Sequence, residues 1–188
     1  MAKLCLWLLL IGITFVGQVA SGEGAMIAKI AQSGESVQLE WQSEGRTISN
    51  SLPLYTSGAI RYFSAGVGVE ERSAQYPPFP LKIVFTAGGK PFLSHVGVTI
   101  QPAKGGEAIV IPPEQVEGPW LFVDLPRGLY DLSGTFSGYV QQLNGIKVEP
   151  NQQKVVHFRW KEDRGSPVRT AEDLEGGRDV GPSGKEGQ

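Results

Sequence analysis

Apolar and polar positions alternate with a period of two along most of the chain between residues 81 and 160. Leu81, Ile83 and Phe85 share one face of an extended segment, as do Val96, Val98 and Ile100. Tyr130, Leu132, Gly134 and Phe136 repeat the pattern, and Val156, Phe158 and Trp160 close it. Successive side chains of a strand point to opposite faces, so this spacing predicts strands with one buried face. Ala108-Ile109-Val110-Ile111 and Trp120-Leu121-Phe122-Val123 are unbroken apolar runs, which predict strands buried on both faces. Nearer the start, Val37-Gln38-Leu39-Glu40-Trp41 alternates and predicts a first strand. Met26 to Ala31 is open between a helical turn or two and a flexible start of the mature chain.

Turn residues separate these runs: Gly88-Gly89, Gly105-Gly106, Pro112-Pro113, Pro126-Arg127-Gly128 and Pro150-Asn151. Residues 45–80 hold two Gly-containing turns and the cluster Tyr76-Pro77-Pro78-Phe79-Pro80, whose prolines forbid a central strand or helix interior. Asn144-Gly145 is a hairpin signal, but a hairpin there would split Tyr139 to Val148 into two very short strands. One long strand with a bulge at Gly145 is the preferred reading. The sum is an all-β fold: an antiparallel immunoglobulin- or prealbumin-like β-sandwich of about seven strands.

Composition narrows the picture. A chain of 188 residues suits one ordinary domain with tails. Its 25 glycines and 13 prolines disfavour a helical bundle. A formal charge of -2 argues against a nucleic-acid role, because phosphate binding needs a concentrated basic surface. The division expected is a signal peptide over 1–22, an N-terminal segment over 23–51, the sandwich over 52–160 and a disordered tail over 161–188. That tail carries five basic and seven acidic residues and no aromatic residue, too little apolar surface to offset its ordering entropy.

The signal peptide rests on Lys3, the apolar run Leu4 to Val16, and the small-residue exit through Gly22. The run is shorter than the roughly 20 residues a membrane-spanning helix needs. Cleavage after Ser21 or Gly22 places small residues at both recognition positions. The expected location is therefore periplasmic or secreted, with no stable membrane span after cleavage. The single cysteine, Cys5, would leave with the signal, which removes disulfides and thiol chemistry together.

Gly118-Pro119-Trp120-Leu121-Phe122-Val123-Asp124-Leu125-Pro126-Arg127-Gly128-Leu129-Tyr130, continued through Gly134, Phe136 and Gly138 to Val155–Trp160, resembles the carboxypeptidase regulatory-like, or transthyretin-like, module. Tyr55-Thr56-Ser57-Gly58 and Gly66 to Arg72 are similar to segments of small exported bacterial proteins of this type, mostly of unknown function. The resemblance spans roughly residues 52–160 and implies a fold more than an activity. In zinc carboxypeptidases the module is an accessory to a separate catalytic domain, which does not fit in this chain. Within it, Pro126 and Gly128 are expected to make a turn, with Gly128 in a conformation a β-branched residue reaches only at a cost, and Tyr130 and Trp120 to enter the core.

The remaining candidates each have a structural reading. Gly66-Val67-Gly68 lacks the third glycine of a nucleotide loop. Glu70-Glu71-Arg72 is expected to open a helical turn, and its charges are the candidates for facing a partner. His95 and His157 fall out of phase with the core face and lack partners at zinc spacing. Asp124 is expected to accept backbone hydrogen bonds beside its turn. Ser94 and Ser133 sit in no nucleophile elbow. Trp41, Trp120 and Trp160 are expected to be core residues rather than a sugar-stacking platform. No catalytic residue, cofactor or metal is expected. The reading is a non-catalytic exported module, an envelope interaction or accessory protein whose partner is an envelope protein or polysaccharide. A carbohydrate or small-ligand binder using exposed aromatics is the alternative.

Overall fold

The protein is described by a computed structural model over residues 26–88 and 93–161. The expected signal peptide and the expected tail after Lys161 lie outside the described residues. The strands are β1 (Lys29–Ile30), β2 (Ser36–Ser43), β3 (Arg46–Pro53), β4 (Tyr55–Ser57), β5 (Ile60–Ala65), β6 (Leu81–Ala87), β7 (Gly97–Pro102), β8 (Ile109–Ile111), β9 (Trp120–Val123), β10 (Gly128–Phe136), β11 (Tyr139–Val148) and β12 (Lys154–Trp160). A short helix, α1 (Val69–Ser73), follows β5, and a 3-10 turn over Pro113–Gln115 follows β8.

These strands form three sheets, ordered β1-β2-β3, β11-β10-β7-β8 and β12-β6-β9-β5-β4. The fold is all-β, and the four- and five-stranded sheets make the sandwich. Between them lie Leu81, Ile83 and Phe85 of β6, Leu121 and Val123 of β9, and Val156, Phe158 and Trp160 of β12. Val98, Ile100, Ile111, Tyr130 and Leu132 meet them from the other sheet. The strands pair antiparallel with one exception: β12 runs parallel to β6, from Lys154 opposite Leu81 to Trp160 opposite Ala87.

The three-stranded sheet covers the opposite face of the five-stranded one. Val37, Leu39 and Leu52 pack there with Phe63, Ala65, Phe79 and Phe122. The Phe63 and Phe122 rings stack at 4.7 Å, with planes 4° apart. Strand β9 alternates between the two cores, Leu121 and Val123 inward and Phe122 outward. Its apolar run is therefore buried on both faces, as its sequence predicts. The other such run is not: Ile111 is buried, but Val110 is 61% exposed because β8 is the edge of a sheet with one open face.

The N-terminal half holds more strand than its sequence announces. Met26–Ala31 is neither helical nor free, since β1 pairs with β2 and Ala28 donates its amide to the Gln75 carbonyl at 2.8 Å. Residues 45–65, where the sequence marks Gly-containing turns but no particular strand, contain β3, β4 and β5. β3 crosses residue 52, so the first strand pair and the start of the expected sandwich segment are one hairpin.

β11 carries the expected bulge. Tyr130 pairs with Ile146 and Leu132 with Leu143, so Asn144 and Gly145 together oppose Asp131. Gly145 adopts φ 69°, and its amide donates to Asp131 Oδ1 at 2.8 Å. The extra residue has a packing reason. Without it, Ile146 and Val148 would fall out of phase with Leu143 and point to solvent.

β12 lies at the edge of its sheet, where unpaired backbone groups invite another strand. The Gln141 side chain closes that edge at one point. Its Nε2 donates to the Arg159 carbonyl at 2.6 Å and its Oε1 accepts the Arg159 amide at 3.2 Å, as a strand neighbour would.

The Leu125-Pro126-Arg127-Gly128 segment carries the chain from β9 in one sheet to β10 in the other. Gly128 does not have positive φ, which corrects the expected reason for its presence. Its hydrogen makes room instead, since a Cβ there would stand 2.9 Å from the Tyr130 ring. That ring folds back over Gly128 so that the buried Tyr130 can donate its hydroxyl to the Pro126 carbonyl at 2.9 Å. Tyr130→Ala is expected to cost about 3–5 kcal/mol, and Tyr130→Phe about 1 kcal/mol for the lost hydrogen bond. Gly128→Val is expected to cost about 1–3 kcal/mol through overpacking. Exposed Arg127, paired with Glu149 at 3.1 Å, should be near neutral as Ala. Equal urea midpoints for all four variants would show that this corner does not anchor the core.

Candidate functional site

The charged trio on α1 divides between fold and surface. Glu70 is exposed, whereas Glu71 is buried, which removes it from any partner-facing surface. Its Oε2 accepts the Gly66 and Val67 amides at 2.7 and 3.0 Å, and its Oε1 accepts Asn50 Nδ2 at 3.1 Å. Arg72, half-buried, donates Nη1 to the Gly66 and Val67 carbonyls at 3.0 and 2.8 Å. Glu71 and Arg72 thus clamp the Gly66-Val67 loop from its two polar sides. The pair fixes the fold, which leaves Glu70 as the trio's outward charge.

The other candidates are dispersed. His95 is exposed with φ 57°, in the loop before β7, and Ser94 Oγ lies 2.9 Å from its Nδ1. His157 is exposed on β12, on a different sheet. Among the described residues no group of His, Cys, Asp and Glu is placed to hold a metal ion. Asp124 accepts a side chain rather than the expected backbone amides: Arg61 Nη2 donates to its Oδ2 at 2.6 Å. Trp160 is buried, while Trp41 and Trp120 are half-buried against the outer core. Lys82 places its Nζ 3.4 Å from the Trp120 ring centroid. The three tryptophans therefore do not share an exposed face; the exposed Tyr139 adjoins the buried Trp160, whose Nε1 donates to the Tyr139 carbonyl at 3.2 Å.

Perturbed titrations follow the packing. Burial raises the Tyr62 hydroxyl, which donates to Gln115 Oε1 at 2.6 Å. Burial likewise raises Tyr130 and lowers Lys82. Glu149 is held below the usual carboxylate range by its hydrogen bond to Lys147. Tyr76 is raised furthest, first by burial and then by the Glu71 carboxylate, and its hydroxyl donates to the Glu71 carbonyl at 2.8 Å.

A phenol whose pKa is raised on folding keeps its proton in the native state after the unfolded chain has lost it. The native state then binds more protons, so stability falls as pH rises above the ordinary tyrosine value of about 10. Tyr76→Phe is expected to flatten that loss, although Lys82 contributes with the opposite sign. Urea titrations between neutral pH and about pH 11 should show it. An unchanged slope in Tyr76→Phe would remove Tyr76 as the cause.

The site with the most organised chemistry lies on the open face of the four-stranded sheet. A groove of about 280 Å³ is lined by Thr99 and Gln101 of β7, Asp131, Leu132 and Ser133 of β10, and Gln142 and Asn144 of β11. Register sets the array: Ser133 stands between Thr99 and Gln142. Asp131 stands between Gln101 and the bulge that carries Asn144. Two of these side chains are fixed by the backbone. Gly145 holds Asp131 Oδ1, and Gln101 Nε2 donates to the Gly106 carbonyl at 3.0 Å. The sequence weighs against Ser133 as a nucleophile and does not announce the groove. The alternation of β10 and β7 could have given it, since Asp131, Ser133 and Thr135 of β10 and Thr99 and Gln101 of β7 fall on the outward phase as a polar row.

Comparison with known proteins finds no matching family model, no matching curated protein and no matching solved structure.

Proposed function

We propose that this chain is an exported, non-catalytic β-sandwich module of the carboxypeptidase regulatory-like type. In this reading it works in the periplasm or outside the cell and holds an envelope protein or polysaccharide. The observation that supports it is the groove on the four-stranded sheet. Its hydrogen-bonding side chains converge on one open face, and two are held in place by backbone groups. The signal-like N-terminus supports the cellular setting. Among the described residues no helix is long and apolar enough to cross a membrane.

Fractionation with N-terminal sequencing tests the reading. The mature chain is expected to begin at Gly22 or Glu23 and to stay with washed envelope material. Ser133→Trp, which fills the groove, should release it while leaving the thermal midpoint within a few degrees. Protein starting at Met1, or retention indifferent to Ser133→Trp, would overturn the proposal.

A further inference from the structure

We infer that the groove on the four-stranded sheet binds a neutral, polyhydroxylated chain, an oligosaccharide without charged groups. This rests on the reading of the protein as an interaction module and names the chemistry of its partner. The lining supplies two hydroxyls (Thr99, Ser133), three carboxamides (Gln101, Gln142, Asn144) and one carboxylate (Asp131). Hydroxyls and carboxamides both donate and accept. A sugar hydroxyl does the same, so it matches this array at each position, whereas a lone anion or cation matches only half of it.

The charges point the same way. The lining holds no cation, and the outward-facing cation further along β11, Lys147, is bound to Glu149 at 2.6 Å. The groove therefore has nothing to neutralise a phosphate, sulfate or uronate. Its one carboxylate already accepts the Gly145 amide through Oδ1. The second oxygen suits the donor side of a hydroxyl.

The spacing suits a chain rather than a compact ligand. Neighbouring strands stand about 4.8 Å apart and successive outward residues about 7 Å apart along a strand. The two rows, Thr99-Ser133-Gln142 and Gln101-Asp131-Asn144, thus present polar groups across three strands. Val110 beside Thr99, 61% exposed, extends the first row with an apolar surface for the C–H face of a ring. Two anchored side chains reduce the ordering cost of binding.

The test uses the mature chain labelled with nitrogen-15 and a panel of neutral hexasaccharides built from glucose, mannose or N-acetylglucosamine. Hexagalacturonate and a neutral Ser/Gln-rich peptide serve as parallel arms. At least one neutral hexasaccharide is expected to shift the side-chain amides of Gln142 and Asn144 and the backbone amides of Asp131 and Ser133, with Kd of about 1 mM or tighter. Gln142→Ala and Asn144→Ala should each weaken it by about 3- to 10-fold, and Ser133→Trp should abolish it. The inference is overturned if no neutral hexasaccharide moves these signals, if hexagalacturonate or the peptide moves them as strongly, or if the shifts map elsewhere. Envelope retention lost in Ser133→Trp without any saccharide shift would sink the saccharide alone and leave the interaction module standing. Saccharide shifts without envelope retention would do the reverse.

Discussion

A chain that begins at Leu54, and so lacks β1 to β3, is expected to lose the cooperative unfolding of the chain that begins at Met26. The reason is the second core. Phe63, Phe122 and Phe79 are 0%, 2% and 3% exposed, and the residues lost with the first three strands include Val37, Leu39 and Leu52. Large apolar side chains contribute about 1.5–3 kcal/mol each when buried. A domain has only about 5–15 kcal/mol in hand. Uncovering a stacked phenylalanine pair and deleting its three aliphatic partners consumes most of that margin. Urea unfolding followed by tryptophan fluorescence, with a hydrophobic dye as a second readout, measures it. The shortened chain should bind dye and melt broadly. A sharp transition at an unchanged midpoint would mean that the two-sheet sandwich stands alone and the third sheet is an appendage.

Gly118→Ala is expected to cost about 3 kcal/mol or more, although it adds a single methyl group. A Cβ at this position would stand 2.3 Å from the Ala65 carbonyl oxygen and 2.6 Å from its carbon. The obstacle is backbone, so no rotamer change removes it. Neither strand can withdraw, because β5 and β9 are bonded neighbours from Tyr62–Val123 to Ala65–Trp120 inside a sheet covered on both faces. The buried Ser64 hydroxyl ties the same place, accepting the Gly118 amide at 2.8 Å and donating to its carbonyl at 3.2 Å. Gly97→Ala is the control. A Cβ there meets Pro113 at 3.6 Å, an ordinary contact, and the change should fall within about 0.5 kcal/mol. Equal urea midpoints for the two variants would show that the close approach at Gly118 is relieved by a shift of the chain.

What the sequence determined by itself is the all-β character and the strands whose two faces differ. β6, β7, β10 and β12 were legible because each puts aliphatic or aromatic residues at every second position toward the core between the two large sheets. β9 was legible because it is covered on both sides. The bulge in β11 was legible too, since a phase change between Leu143 and Ile146 requires an extra residue. Tertiary structure decided the rest. β3 exposes most of its residues and buries only Leu52, so it carries no period of its own and is a strand because β2 lies beside it. The parallel pairing of β12 with β6 joins segments some 70 residues apart, and no local pattern encodes which edge a last strand joins. Glu71 reads as a solvent-facing charge until the fold brings two backbone amides and Asn50 to its carboxylate. The groove belongs to the same class. Ser133 is one of many serines along the chain, and it becomes part of a site only when register sets Thr99 and Gln142 on either side of it. Period and phase are properties of one segment, whereas partners, cover and convergence are properties of segments brought together.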